Sequence, residues 1–135
     1  LWGMGLRRVY IGLETGHAPL LALLQKPGHP KEVLPLVQAL KAAGLSVGVI
    51  LMVGAGGKAF AEAHFRESLA LLAELPLGRG VVVYLFPFRE DPGTPYAALG
   101  LAPLEDLEGE LQRWAQAVRR LGLRASRYEI REFLY

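Results

Sequence analysis

Glu14 is the acidic residue best placed for chemistry, because it ends an apolar run. Residues 9–16 read VYIGLETG, in which β-branched, aromatic and small residues are typical of a buried strand and turn residues follow the acid. In parallel α/β folds, ligands bind at the carboxyl ends of strands, where the following helices direct their N-terminal N–H groups. Glu14 is therefore a candidate acceptor for ligand hydroxyls. The alternative is a structural role, either as a helix N-cap or in a salt bridge to Arg7 or Arg89. Residue chemistry alone favours this structural role over ligand binding.

Two further candidate segments follow predicted strands: the glycine turn 54–57, within VGAGGKA, and the loop 87–96, PFREDPGTPY. The turn is not a Walker A loop, because Met52 and Ala59 stand where that motif needs Gly and Ser or Thr. The dinucleotide pattern G-x-G-x-x-A does match. However, the acid that should follow at a strand end about 20 residues later is missing. Two interpretations stay open: close approach of bare backbone to a ligand, or a plain tight turn.

Serine, histidine and cysteine form no catalytic or metal-binding motif. The G-x-S-x-G text at residues 44–48 leaves a predicted helix and enters a strand, which reverses the order of a hydrolase nucleophile elbow. His17, His29 and His64 lack metal-ligand spacing, and the last two are expected in solvent. His17 is expected at the rim, where two roles are open: contact with a ligand, or a hydrogen bond within the loop, which is favoured. The chain has no cysteine, so these residues hold no disulfide, catalytic thiolate or cysteine-ligated metal. We predict no metal site.

The elements that position these candidates alternate between strand and helix. Predicted strands cover 8–13, 46–53 and 81–86, and predicted helices cover 18–26, 30–44, 58–75 and 103–121. Such alternation predicts an α/β fold with parallel strands and right-handed crossover helices. The strand 46–53 is apolar throughout, as expected for a strand covered on both faces. Two helices carry apolar stripes expected to be buried: Phe65, Leu69 and Leu72 in one, and Leu104, Leu107, Leu111, Trp114, Val118 and Leu121 in the other. The ending RYEIREFLY is expected as an edge strand or an extended surface segment.

Composition narrows the class of protein. The 135 residues suit one domain and fall short of the about 250 of a closed β/α barrel. With 15 basic and 13 acidic residues and no run of like charge, neither nucleic acid nor an anionic membrane is indicated as a partner. Apolar stretches are too short for a membrane span and no secretory pattern opens the chain, so a cytoplasmic location is expected. The absence of Asn, with 11 Arg against 4 Lys, suits a thermophilic source, although high-GC codon usage gives the same composition.

Three stretches taken in order resemble the radical S-adenosylmethionine (SAM) superfamily. They are GLRRVYIGLETG (5–16), LLQKPGHPKEVLPLVQALKAAGLSVGVILMVGAGG (23–57) and VVVYLFPFREDPGTPYA (81–97). Their order and spacing are similar to the fourth to sixth β/α units of that family's partial barrel. The resemblance implies that residues 1–100 are these β/α units and that 101–135 form a C-terminal amphipathic helix and tail packed on them. The implied fold is α/β: three parallel strands with crossover helices, in a half or partial TIM-like barrel.

The resemblance also implies a SAM site along these strands. Glu14 would contact the ribose hydroxyls, and Ile50 and Met52 would lie near the adenine. The glycine turn would lie beneath the cofactor, while the third strand would offer backbone groups to the adenine edge. The implied cofactor-binding residues are Glu14, Ile50, Met52, Gly54, Gly56, Gly57, Tyr84, Leu85 and Phe86. No catalytic residue is assigned.

The family's CxxxCxxC motif, which holds the 4Fe-4S cluster, cannot occur in a chain without cysteine. That cluster reduces SAM to methionine and a 5′-deoxyadenosyl radical. The chain is therefore expected to be the C-terminal part of such an enzyme, inactive alone, with the missing N-terminal half of the same protein as its partner. One alternative is a noncatalytic half-barrel that binds a nucleotide or forms a homodimer through its open side. Another is a nicotinamide-binding domain, suggested by the glycine turn alone.

Overall fold

A four-stranded parallel sheet forms the centre of the molecule. The structure is a computed structural model, and it describes residues 8–76 and 81–127. The strands are β1 (Arg8–Glu14), β2 (Ser46–Val53), β3 (Val81–Pro87) and β4 (Arg124–Arg127), in the order β1-β2-β3-β4, and every neighbouring pair is parallel. The predicted parallel α/β sheet is confirmed, with one strand more than the three predicted. The additional strand, β4, has the sequence RASR, which carries no apolar run to indicate a strand.

Helices connect the strands. They are α1 (Ala18–Leu23), a 3-10 turn (Pro30–Glu32), α2 (Val33–Ala42), α3 (Gly57–Glu74), α4 (Pro95–Ala98) and α5 (Leu107–Arg120). α5 begins four residues after Pro103, the predicted start. Asp106 is its N-cap, and its carboxylate accepts the Gly109 N–H at 2.9 Å. The ending 128–135 lies outside the described residues.

The hydrophobic core lies on one face of the sheet. Alternate residues of β2 point to this face, and helices α2, α3 and α5 all pack on it. A right-handed crossover between adjacent parallel strands places every connecting helix on the same side, which explains this arrangement. The buried core residues include Leu13, Val37, Val47, Val49, Leu51, Val53, Leu72, Val83, Leu85, Leu111, Trp114 and Val118.

No long helix of the described ranges covers the opposite side of the sheet, called here the second face. Its residues are Tyr10, Gly12, Gly48, Ile50, Met52, Val82, Tyr84 and Phe86. Within 8–76 and 81–127, none of α2, α3 and α5 packs on it, and Ile50 and Met52 are partly exposed. The expectation that β2 is covered on both faces is therefore only half met. The rings of Tyr10 and Tyr84 lie 5.4 Å apart, and a Cβ atom at Gly48 would approach the Tyr84 ring to 2.6 Å.

The apolar stripes of the helices are partly as predicted. In α5, Leu111, Trp114 and Val118 are buried, as the 3- and 4-residue spacing predicts. In α3, Leu72 is fully buried as predicted, but Phe65 and Leu69 are only half-buried, and the neighbouring His64 and Ser68 are buried instead. No helix in the described ranges is long and apolar enough to cross a membrane.

The single core predicts a sharp contrast between two leucines. Leu72 is fully buried in α3, whereas Leu36 in α2 is 46% exposed. We expect Leu72→Ala to lower the free energy of unfolding by about 2–5 kcal/mol, because it removes buried methyl groups and leaves a cavity. Leu36→Ala, the matched control, should change it by about 0.5 kcal/mol or less. Urea denaturation measures both values, and equal losses would contradict the assigned core.

Candidate functional site

Glu14 has a strained backbone. Its φ is +68°, and the Thr15 N–H donates to the Leu13 carbonyl at 2.8 Å, which closes a three-residue turn centred on Glu14. A γ-turn with positive φ at its centre is the rarer and strained form. The pairing of β1 with β2 shifts register between Gly12 and Glu14. A residue with a Cβ atom in the left-handed region costs of the order of 1–2 kcal/mol.

The carboxylate of Glu14 lies at the second face. A Cβ atom at Gly12, two residues beyond Tyr10 on that face, would lie 3.1 Å from Glu14 Oε1. The side chain is half-buried, and this burial raises the pKa of Glu14, although the positive charge of Lys26 opposes the shift. No hydrogen bond or ion pair joins the carboxylate to any residue in 8–76 or 81–127.

The alternative roles considered for Glu14 do not occur among the described residues. The N-cap of α1 is His17, which makes no side-chain cap bond. Arg89 forms no ion pair with Glu14. Arg7 lies outside the described residues. Glu14 is thus a half-buried acid at the end of a strand without a structural partner there.

The residues that follow Glu14 are held by a buried polar network, the rim clamp, which consists of Thr15, Gly16, His64 and Ser68. Thr15 Oγ1 lies 2.6 Å from His64 Nδ1, and Ser68 Oγ lies 3.3 Å from the same nitrogen. The Gly16 N–H donates to Ser68 Oγ at 2.8 Å, and His64 Nε2 lies 2.8 Å from the Met52 carbonyl. The clamp therefore ties the end of β1, through α3, to the end of β2.

These contacts determine the proton position on His64. A carbonyl oxygen only accepts, so Nε2 carries the proton and donates to Met52. Nδ1 is then an acceptor, and the Thr15 and Ser68 hydroxyls donate to it. Thr15 Oγ1 in turn accepts the His17 N–H at 3.0 Å. Burial lowers the pKa of His64 to about 4, against the opposing effects of the Met52 hydrogen bond and the Glu110 charge, so the ring is neutral at pH 7.

The prediction that His64 lies in solvent is wrong. His64 is only 2% exposed, and its ring packs 4.6 Å from the Trp114 ring. The buried side of α3 includes polar residues, because His64 and Ser68 have all their hydrogen bonds satisfied within the clamp. Their spacing of four residues, followed by Leu71 and Leu72, was the available signal in the sequence.

The other histidines lie nearer the surface. The Nδ1 atom of His17 contacts Glu67 Oε2, so its side chain pairs with a carboxylate of α3. Its backbone N–H makes the hydrogen bond within the loop, to Thr15. His29 is exposed, as predicted, and its Nδ1 accepts the Lys31 N–H at 3.1 Å.

The glycine turn 54–57 is packed under the chain that leads to α5. The Gly56 N–H donates to the Tyr96 hydroxyl at 2.8 Å, and the Lys58 N–H donates to the Ala102 carbonyl at 2.9 Å. A Cβ atom at Gly57 would lie 2.0 Å from the Ala102 oxygen. The N–H groups at the start of α3 are thus engaged by protein, which favours the plain tight turn. This engagement removes the main support for a nicotinamide-binding site.

The remaining predicted site residues separate onto two faces. Ile50, Met52, Tyr84 and Phe86 share the second face, and the Tyr84 hydroxyl accepts a hydrogen bond from Arg8 Nη1 at 2.9 Å. The side chain of Leu85 points instead into the helix-covered core. Residues 84 and 85 have register partners in both β2 and β4, so their backbone groups face neighbouring strands. A ligand above this face would meet side chains first.

Metal ligands are not clustered in the described part of the chain. No group of three or more His, Cys, Asp or Glu residues in 8–76 and 81–127 could hold a metal ion. At the second face, the carboxylate of Glu14 can accept hydrogen bonds, and the apolar side chains of Ile50 and Met52 beside it are partly exposed. Such a surface can bind a ligand with hydroxyl groups and an apolar ring.

The low pKa of His64 predicts a loss of stability in acid. Its folded-state pKa of about 4 lies below the ordinary value of 6.5, so the unfolded chain binds more protons between these values. The free energy of unfolding should fall as pH drops from 6.5 to 4, by up to about 3 kcal/mol from this residue. Denaturant titrations at several pH values measure the effect. His64→Gln keeps a donor and an acceptor but does not titrate, so it should lose this component; identical pH profiles would contradict the assignment.

The contact between the glycine turn and Ala102 predicts different costs for two alanine substitutions. Gly57 and Gly100 have nearly the same φ, +62° and +64°, but nothing lies within 4 Å of a Cβ atom at Gly100. Gly100→Ala should cost about 1 kcal/mol from backbone strain alone. Gly57→Ala should cost about 3 kcal/mol or more, because it also collides with a carbonyl. Urea denaturation of the two variants tests this, and equal losses would refute the close packing.

Comparison of the chain with protein families, with curated proteins and with solved structures finds no match. We therefore base the assignment of function on the geometry of the sheet and its rim.

Proposed function

We propose that this chain is the C-terminal part of a radical SAM enzyme and supplies one wall of its SAM site. In this proposal Glu14 accepts hydrogen bonds from the two ribose hydroxyls, since a carboxylate has two acceptor oxygens. Ile50, Met52 and Phe86 provide the apolar surface on which the adenine packs. When bound beside a reduced 4Fe-4S cluster, SAM would accept one electron from the cluster and be cleaved to methionine and a 5′-deoxyadenosyl radical.

The observation that carries the proposal is the state of Glu14. The residue is strained, half-buried and without a partner in the described ranges, and burial raises its pKa. Backbone strain and the partial burial of a charge each cost stability, and such costs are concentrated at ligand-binding and catalytic sites. A purely structural acid at this position would be expected to cap a helix or pair with a cation.

The arrangement of the sheet supports a half or partial TIM-like barrel. Strand order follows chain order, and the three longest helices lie on one face. In a doubly wound fold, helices cover both faces, whereas in a β/α barrel they form a single outer layer. The second face would then be the inner wall, and the carboxyl ends of the strands would form the ligand-binding rim.

The iron–sulfur cluster belongs to residues outside this chain. Without cysteine, the chain cannot ligate it, so the preceding half of the same protein would hold it and complete the site. The chain contributes binding and orientation of the adenosyl group, with the cytoplasm as the compartment.

A noncatalytic half-barrel is the second candidate, favoured by the position of β1 at the edge of the described sheet. Within the described ranges β1 pairs only with β2, and Tyr10 on β1 is 45% exposed. An edge strand of this kind can pair with a second copy of the chain. In that case the second face would bind a nucleotide, or bury itself in a homodimer, without a cluster.

Substitution of Glu14 tests the proposed site. In the gene product that includes the coding sequence preceding this chain, Glu14→Gln should weaken SAM binding about ten-fold or more, because it removes charge-assisted hydrogen bonds. Glu74→Gln, at an exposed acid at the C-terminal end of α3 and away from the rim, is the matched control and should bind SAM as the unaltered protein does. Isothermal titration calorimetry measures both affinities.

Iron and sulfide analysis of the same protein, together with an assay for 5′-deoxyadenosine, separates the two candidates. We expect a CxxxCxxC motif about 150 residues before Glu14, judged by barrel size, and cluster-dependent cleavage. A reading frame without that motif, or a Glu14→Gln protein with undiminished affinity, would overturn the proposal.

A further inference from the structure

We propose that Thr15 and His64 are positioning residues that hold Glu14 in its strained conformation and so fix the direction of its carboxylate. That these residues hold Glu14 is inferred from the contacts of the rim clamp, whereas a role of the held carboxylate in ligand binding rests on the proposed function. Neither residue is assigned any contact with a ligand.

The chain is fixed immediately before Glu14. Gly12 pairs with Ile50 in the parallel ladder, and the next side chain, Leu13, is buried in the helix-covered core. The segment that enters the turn is therefore anchored both by β2 and by the core. Glu14 cannot relax by movement of β1 without breaking this packing.

The chain is also fixed immediately after Glu14. Thr15 is fully buried, and its hydroxyl donates to His64 Nδ1 at 2.6 Å. The Gly16 N–H donates to Ser68 Oγ, and a Cβ atom at Gly16 would lie 2.6 Å from the Glu67 carbonyl oxygen. The two residues after the turn thus lie directly on α3.

His64 is itself held in one orientation. Its Nε2–H donates to the Met52 carbonyl at 2.8 Å, and the Trp114 ring packs against it. The ring therefore presents Nδ1 to Thr15 as an acceptor. Because Met52 lies in β2, this hydrogen bond also connects the clamp to the strand that pairs with β1. The turn is therefore restrained by α3, β2 and α5.

A strained φ persists only where the surrounding structure enforces it. If the clamp enforces the φ of Glu14, removing the strain and removing the clamp must be energetically coupled. Glu14→Gly removes the strain, because glycine adopts positive φ freely. Thr15→Val keeps the shape of the side chain and removes the hydroxyl that bonds to His64.

A double-mutant cycle on this chain tests the clamp without any ligand. We expect Glu14→Gly to raise the folding equilibrium constant about three-fold in the unaltered background, and to give little or no gain in the Thr15→Val background. Gln25→Gly is the matched control, since Gln25 is the other described non-glycine residue with positive φ, +58°, and makes no clamp contact. Its gain should be the same in both backgrounds. An equal gain from Glu14→Gly in both backgrounds would overturn the proposal.

Two further variants keep the test decisive. Thr15→Ser retains the hydroxyl and should restore the coupling. If Thr15→Val does not fold, Ser68→Ala removes the weaker donor to Nδ1 and the acceptor of the Gly16 N–H, and should reduce the gain from Glu14→Gly in the same direction. An undiminished gain in the Ser68→Ala background would then refute the clamp.

The SAM affinity of the longer gene product separates this inference from the proposed function. If the clamp and the proposed function are both correct, Thr15→Val weakens SAM binding several-fold at pH values where the protein is fully folded. Thr15→Ser then leaves SAM binding unchanged. Val118→Ala, a truncation of the core in α5, is the control for general destabilisation and should leave the affinity unchanged. Coupling in the cycle with no loss of affinity in Glu14→Gln supports the clamp and removes the proposed function. Loss of affinity in Glu14→Gln without coupling does the reverse.

Discussion

The handedness of the crossovers between adjacent parallel strands is the constraint on which the rest of this structure depends. Because each connection turns the same way and each strand pairs with the next along the chain, the long helices all lie on one side of the sheet. The two faces then have different roles. One is filled by side chains from three helices, and the other keeps Ile50 and Met52 partly exposed beside the Glu14 carboxylate.

Two titratable groups at the rim, His64 and Glu14, differ in how their polar atoms are satisfied. His64 has a hydrogen-bond partner on each ring nitrogen, and its burial favours the neutral form of the ring. Its hydrogen bonds to Thr15 and Met52 link the ends of β1 and β2. Glu14 has no hydrogen-bond or ion-pair partner in the described ranges, and only the positive charge of Lys26 opposes the effect of its burial. The first pattern is typical of a structural residue and the second of a binding residue.

The central strands and the position of Glu14 were predictable because they depend on local pattern. Runs of β-branched residues marked β2 and β3 to within one residue, and turn residues marked the end of β1. β4 was missed because the tetrapeptide RASR has no strand signature and becomes a strand only by pairing with β3. The stripe predicted in α3 was wrong at Phe65 and Leu69, because His64 was predicted to face solvent and is buried together with Ser68.

What the pattern of the sequence could not provide was contact between distant segments. Thr15 and His64 are far apart in the chain, and nothing in the periodicity of either segment indicates their hydrogen bond. The contact that favours a plain glycine turn likewise comes from Ala102, well beyond the next strand. Such choices depend on which polar groups find partners, and this requires the folded arrangement.

Parallel pairing also sets the order in which this chain can assemble. Arg8 pairs with Ser46, Val47 with Val81 and Val82 with Arg124, so the ladders join residues 38, 34 and 42 positions apart. Each ladder must therefore close a long loop before it gains a hydrogen bond. The helices between the strands can form earlier, from local contacts. During synthesis, β3 cannot receive its second neighbour until α5 and β4 have left the ribosome. Until then, the backbone of β3 is open to pairing with other nascent chains.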